Sequence, residues 1–263
     1  MLAEHSDYSL DYERGKKMLA KDGDYSLDYG RGKKWISRCD MVKEKSVDAG
    51  QAIYSKKVLL IYDLWVLGFS NAFLWKCPTA LLRSEFTKNA TRNHLDVGVG
   101  TGYYPDKCLS DTDRRLALLD MNSNSLEIAA SRVRRFKPEI YRTNVLDKLN
   151  LPCDKFDSVS LNYVLHCLPG SLREKSSLFN NILPYLNEKA VVFGSTILND
   201  DIEIGVLAKK LMSIYNKKGI FDNLGDNVAE LSSSLRKYFN DVDIRVVGCV
   251  AVFTAKYPIR HEV

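Results

Sequence analysis

The stretch His94-Leu-Asp-Val-Gly-Val-Gly-Thr-Gly102 decides the fold. A short strand-forming run passes through an acid, Asp96, into glycines at 98, 100 and 102. Glycine turns sharply and lets the backbone approach a ligand with no Cβ in the way. After the first strand of an open α/β sheet, such a turn stands where these sheets bind nucleotides. A second acid, Asp120, closes the next strand 18 residues beyond Gly102, where a carboxylate accepts hydrogen bonds from both hydroxyls of a ribose.

The glycine spacing separates two kinds of ligand. The dinucleotide fingerprint G-x-G-x-x-G needs its third glycine at position 103, which is Tyr103 here. The pattern is instead G-x-G-x-G preceded by Asp96, and an acid there favours a cofactor with a cationic amino group over a pyrophosphate. S-adenosylmethionine carries such a group; NAD does not.

Outward from this turn, strands and helices alternate. The pattern predicts strands at 94–97, 116–120, 139–143, 156–161 and 190–196, and helices at 103–109, 123–136, 171–186, 202–216 and 227–239. Two further strands, 242–247 and 250–256, meet at Gly248. Strands alternating with helices indicate an α/β, doubly wound, mostly parallel sheet, and the closing pair an antiparallel C-terminal hairpin at one edge. Ahead of the first strand, Val58, Ile61, Leu64 and Trp65 recur at helical spacing, and Pro78 opens a helix to 89; together they predict an N-terminal helical cap.

With Leu118-Leu-Asp-Met121, Asn144-Val-Leu-Asp147 and Phe156-Asp-Ser-Val-Ser-Leu-Asn-Tyr-Val-Leu-His-Cys-Leu-Pro-Gly170 added, residues 54–257 resemble the class I S-adenosylmethionine-dependent methyltransferases. The resemblance implies a Rossmann-like sheet of seven strands whose last strand is antiparallel. It also implies roles by position. Asp96, Gly98, Gly100, Thr101 and Gly102 would hold the methionine moiety, Asp120 the ribose and Met121 one face of the adenine. Asn144 and Val145 would lie at the adenine edge, and Asn162 beside the methionine moiety. Many relatives carry Asp at the position of Asn144; Asn still accepts through its carbonyl oxygen, and Asp147 is the other candidate for that place.

The fourth strand leads to Asn162-Tyr-Val-Leu, not to the Asn-Pro-Pro-aromatic motif of enzymes that methylate adenine or glutamine amides. The His166-Cys-Leu-Pro-Gly170 stretch, the end of the fifth strand at Ser195 and Thr196, and the helical segment before the first strand resemble the small-molecule branch. The expected partner is therefore a small methyl acceptor, aromatic or polyketide-like, modified on O, N or C, with nucleic acid disfavoured. In-line displacement at a sulfonium methyl depends on positioning, and needs a base only if the acceptor arrives protonated. His166 is the candidate catalytic base, because its unperturbed pKa lies near neutrality; a packed or capping histidine is the alternative. Tyr62, Trp65 and Tyr215 are candidate substrate-binding residues, with Phe221 nearby, against plain core packing; His94 reads as structural. Two other functions fit the same residues: a cofactor-binding protein of this fold that does not methylate, and an RNA or protein methyltransferase that docks through its N-terminal segment.

That segment differs from the rest. Asp7-Tyr-Ser-Leu-Asp-Tyr-Glu-Arg-Gly-Lys-Lys17 returns 17 residues later as Asp24-Tyr-Ser-Leu-Asp-Tyr-Gly-Arg-Gly-Lys-Lys34. Two copies are too few for a solenoid, and ten basic residues cancel ten acidic ones up to Gly50. Residues 1–50 therefore read as a flexible duplicated extension and 51–263 as the methyltransferase domain. No apolar run approaches the roughly 18 residues of a membrane span, and the N-terminus is polar, so a cytoplasmic location is expected. Net charge is +5, and its densest cluster, Arg132, Arg134, Arg135 and Lys137, falls at a helix end where cations complement the dipole. Six scattered cysteines without a Cys-x-x-Cys pair suggest neither a metal site nor a disulfide framework.

Overall fold

The computed structural model describes Asn71, residues 73–260 and, as backbone, three strands among the first fifty residues. The chain divides into two compact units, Met1–Asp48 and Ala49–Val263. In the first, β1 (Met18–Lys21), β2 (Asp24–Asp28) and β3 (Lys33–Ile36) form an antiparallel sheet in that order, and the second copy of the repeat supplies β2 and the start of β3. The cap segment expected over 53–67, with Tyr62 and Trp65, lies outside the described residues.

The second unit carries β4 (Asn93–Val97), β5 (Arg115–Asp120), β6 (Glu139–Arg142), β7 (Phe156–Asn162), β8 (Leu186–Ile197), β9 (Phe239–Val247) and β10 (Val250–Pro258). They form one sheet in the order β6-β5-β4-β7-β8-β10-β9, in which β10 alone runs against its neighbours. The chain winds from β4 to β6 in one direction and from β7 onward in the other. The crevice beyond the carboxyl ends of β4 and β7 is thus the switch point at which open sheets bind ligands.

Helices α1 (Thr79–Asn89), α2 (Tyr103–Cys108), α3 (Ser123–Arg132), α4 (Leu172–Lys175), α5 (Ser177–Ile182), α6 (Val206–Lys217) and α7 (Val228–Arg236) flank the sheet. Local chemistry sets their ends. Asn122 caps α3, its side chain accepting from the N–H groups of Asn124 (2.9 Å) and Ser125 (3.3 Å). Helix α6 stops at Gly219, where the Ile220 N–H reaches the Tyr215 carbonyl (2.9 Å) and the Gly219 N–H that of Asn216 (3.1 Å). The single helix expected over 171–186 is broken into α4, α5 and a 3-10 turn, Leu183–Tyr185. The Ser176 hydroxyl donates to the Arg173 carbonyl (2.6 Å) at the first break, and Pro184 offers no donor at the second.

Both faces of the sheet are covered. Leu95, Val97, Ala117, Leu119, Val159 and Leu161 pack with Phe179, Leu231 and Leu235 on one side. Leu116, Leu118, Phe193 and Val252 pack with Leu82, Phe86, Leu126 and Val133 on the other. Two-sided burial is why these strands read as nearly continuous apolar runs. Strands β4 and β7 break that pattern with His94, Asp96, Ser158 and Ser160, all buried.

Candidate active site

The loop from β4 into α2 is shaped by its glycines, which have φ of 69° at Gly98, 51° at Gly100 and 71° at Gly102. A Cβ at Gly98 would overlap the Val164 side chain, and one at Gly102 would stand 2.9 Å from the Ala129 backbone. At Gly100 a Cβ would meet nothing within 4 Å. The outer two glycines let the loop pack down, and the middle one presents bare backbone to open space. Thr101 is buried, and its hydroxyl accepts from Arg132 (2.9 Å), which ties the loop to α3.

Two carboxylates flank the loop. Asp96 is buried and accepts a hydrogen bond from the Ser160 hydroxyl on β7. Burial pushes its pKa up to about 7, against the Ser160 bond and with help from the Asp120 charge. Asp120 is also raised by burial, to about 6, although the N–H groups of Asn122, Val99, Gly100 and Met121 pull it down. The Asn122 N–H stands 2.8 Å from its Oδ1. Met121 follows, half-buried, at the mouth of the same turn.

Beyond β6 the Asn144 side chain accepts from the Leu146 N–H (3.1 Å), closing a turn on itself. Asp147 is exposed, and Val145 is buried in the core. At the end of β7, the Asn162 Oδ1 accepts from the Ser195 hydroxyl on β8 (3.2 Å), while its Nδ2 is buried with no partner. An unmet buried donor is costly in a folded protein and fits a ligand acceptor.

Next to this crevice stands an aromatic wall. His166 lies 4.5 Å from Phe221 and 5.7 Å from Tyr163, ring centre to ring centre, edge-on in both cases. Phe221 in turn meets Tyr215 at 4.9 Å and Trp75 at 6.1 Å. The fold thus gathers His166 and Tyr215 through Phe221. Trp75 and Tyr163 are members that sequence reasoning missed: the Trp75 partner, Phe221, lies far away in the chain, and Tyr163 turns its ring to His166 through a backbone with positive φ that the sequence does not announce. Tyr163 holds φ at 57°, an unusual value for an aromatic residue and one that clusters at functional sites.

His166 enters the wall as a neutral ring. Its Nδ1 accepts from the Ile197 N–H (3.3 Å), with the Thr196 hydroxyl at 3.4 Å, and burial lowers its pKa to about 3, helped by the Lys175 charge. The loop that carries Phe221 is tied at two points. Asn223 pairs with Asn216 in both directions (2.9 and 3.2 Å) and donates to the Ile197 carbonyl (3.0 Å). The fully buried Lys175 ammonium meets Asp226 (2.9 Å) and donates to the Asp222 carbonyl. Among the described residues, no group of three or more His, Cys, Asp or Glu is placed to hold a metal ion, and no helix is long and apolar enough to cross a membrane.

A family model described as a methyltransferase domain matches residues 95–192. The chain is 35% identical over 220 residues to the demethylluteothin O-methyltransferase of Streptomyces thioluteus, spanning 83% of this chain and 96% of that protein. It is 36% identical over 220 residues to the physcion biosynthesis cluster O-methyltransferase of Aspergillus chevalieri, spanning 83% and 99%. An O-methyltransferase family protein from Burkholderia thailandensis shares the fold at a TM-score of 0.58 and 13% identity, over 82% of this chain and 69% of that one.

Proposed function

The chain belongs to the class I S-adenosylmethionine-dependent methyltransferases and methylates a small molecule; on that premise we propose that the attacked atom is a hydroxyl oxygen on an aromatic acceptor. The observation that carries the proposal is the wall of Trp75, Tyr215, Phe221 and His166 beside the glycine crevice. Trp75, Phe221 and His166 are buried and back the half-buried Tyr215 and Tyr163, the members through which the cluster would offer an apolar face to a planar molecule. Two relatives named as O-methyltransferases support oxygen as the attacked atom.

The crevice fits the cofactor on its own chemistry. Asp96 answers an ammonium, Asp120 a pair of hydroxyls, the bare backbone at Gly100 leaves room, and the unpartnered Asn162 Nδ2 offers a donor to a carboxylate. When bound, S-adenosylmethionine supplies an electrophilic methyl group on a positively charged sulfur. The chain's own share is to align the acceptor and to exclude water. A buried histidine with a pKa of about 3 is a weak base, so His166 serves to shape the slot. A phenol, far more acidic than an alcohol, suits a site built that way.

The test is incubation with S-adenosylmethionine labelled in its methyl group and a panel of phenols, alcohols, amines and carbon acids. Label appearing as an aryl methyl ether is the expected result. Label on nitrogen or carbon alone overturns the oxygen assignment. Phe221→Ala and Tyr215→Ala should raise KM for the acceptor several-fold and leave cofactor affinity within twofold.

A further inference from the structure

Beneath the glycine loop, one face of the sheet is polar where the rest of that layer is apolar. In the parallel register of β4 and β7, His94 stands opposite Ser158 and Asp96 opposite Ser160. All four are buried, and His94 is packed among Phe86 (5.3 Å) and Phe193 (5.8 Å). Polar groups in such a place are expensive unless every one is bonded. Here they are joined in a line: the Thr91 N–H to the Ser158 Oγ (2.9 Å), Ser158 Oγ to His94 Nδ1 (2.8 Å), His94 Nε2 to Ser160 Oγ (3.0 Å), and Ser160 Oγ to Asp96.

The end of the line fixes its direction. When Asp96 is ionised its carboxylate only accepts, so the one Ser160 proton points to it. Ser160 must then accept from His94, which places the ring proton on Nε2. The bare Nδ1 must accept from Ser158, whose oxygen takes the Thr91 N–H. From Ser158 to Ser160 every donor then points toward Asp96, while the Thr91 hydroxyl stands 2.9 Å from the Ser158 Oγ and 3.0 Å from the Asn93 carbonyl.

We propose that Ser158, His94 and Ser160 form a positioning relay that favours the ionised form of Asp96 over the neutral acid and aims it at the amino group of the cofactor. This rests on the reading of Asp96 as the cofactor's acid. The relay opposes the burial that otherwise favours the neutral acid, and a single reversal of the Ser160 hydroxyl would undo it. Burial also keeps the ring uncharged, with a pKa of about 3, so the line delivers dipoles without adding a cation. The other charged groups bearing on the line are Asp120 at the end of β5, Cys108 on α2, which feels the Asp96 charge, and Arg114 ahead of β5, which repels a proton on His94.

The experiment titrates the full chain calorimetrically with S-adenosylhomocysteine between pH 5.5 and 8.5. The control ligand is 5′-methylthioadenosine, which lacks the amino acid moiety. The variants are His94→Phe, Ser160→Ala and His94→Gln, with Asp96→Asn as reference. In the unsubstituted protein, affinity for S-adenosylhomocysteine should fall as pH drops below the Asp96 midpoint, while that for 5′-methylthioadenosine stays flat. In His94→Phe and Ser160→Ala the midpoint should move up by about one pH unit, a loss of about fivefold for S-adenosylhomocysteine at neutrality that approaches tenfold at the acid end of the range. The control ligand should change by less than about twofold, and His94→Gln, which keeps one donor and one acceptor, should recover most of the loss.

Equal losses for both ligands, or an unmoved midpoint, overturn the relay. If Asp96→Asn binds S-adenosylhomocysteine as well as the unsubstituted protein does, the cofactor's acid has been misidentified and the relay falls with it. If Asp96→Asn weakens binding while the relay variants do not, only the relay falls. Nitrogen-15 spectra of labelled histidine give a readout that does not depend on binding, and a proton on His94 Nδ1 would also overturn it.

Discussion

The cofactor crevice and the aromatic wall stand at the same edge of one sheet but are built on different scales. The crevice comes from two short stretches, 96–102 and 120–122, in which glycine backbone and four N–H groups converge on a carboxylate. The wall draws on positions from Trp75 to Phe221 and stays in place because Lys175 and Asp226, and Asn216 and Asn223, tie a distant loop down. A local device is specified by its own residues, whereas a long-range one depends on ties that touch no ligand. Cutting a tie should therefore damage acceptor binding alone, and filling a glycine should damage cofactor binding alone.

The largest effect is expected at Lys175. Removing one partner of a fully buried ion pair leaves an uncompensated charge, so Lys175→Met should cost about 3–5 kcal/mol. For a chain of this size, that lowers the melting temperature by roughly 10 °C. Measured on the folded fraction at low temperature, KM for the acceptor should rise while affinity for S-adenosylhomocysteine holds. The double variant Lys175→Met, Asp226→Leu should regain most of the stability. A matching loss of cofactor affinity would show that the two regions are not independent.

The opposite result is expected at the glycines. Gly98→Ala forces a Cβ into Val164 at a positive φ and should cost about 2–3 kcal/mol, with cofactor affinity down at least tenfold. Gly100→Ala carries the backbone strain without the overlap, so about 1–2 kcal/mol is expected. Its loss of cofactor affinity should exceed its loss of stability, because the new methyl group points into the space left for the ligand. Thermal melts and calorimetry on the same samples separate the two quantities.

The same difference in scale explains what is legible in the sequence. Glycine spacing and two strand-ending acids mark the crevice because turn chemistry and chain distance coincide there, and Asp96, Gly98, Gly100, Gly102 and Asp120 all lie around one loop. The wall is half legible. His166 follows β7 and Tyr215 stands in the last turn of α6, but nothing near Trp75 in the chain names Phe221 as its neighbour. Nothing in the chain around Lys175 names Asp226, 51 residues on, as its buried partner. The polar line under the loop does leave a trace, since Ser158, Ser160 and Asn162 alternate with the apolar Val159 and Leu161 along β7. That period of two puts them on one face, and a polar face on a central strand asks for partners.

The last effect is a pH dependence, and it reports on the crevice alone. Folding raises the Asp96 pKa from the ordinary carboxylate range to about 7, so between roughly pH 4 and pH 7 the folded state holds a proton that the unfolded state has lost. The stability this contributes is fully present below the unfolded pKa and disappears as pH rises through about 7. Asp96→Asn is neutral at every pH and escapes that loss. Its melting temperature relative to the unsubstituted protein should therefore climb between pH 4 and pH 7 and level off above, by up to roughly 10 °C in all. A flat difference across that range would mean that Asp96 stays charged in the folded protein without cofactor. The Ser160 bond and the amides around Asp120 would then outweigh burial, and the crevice would be preorganised for a cation before one arrives.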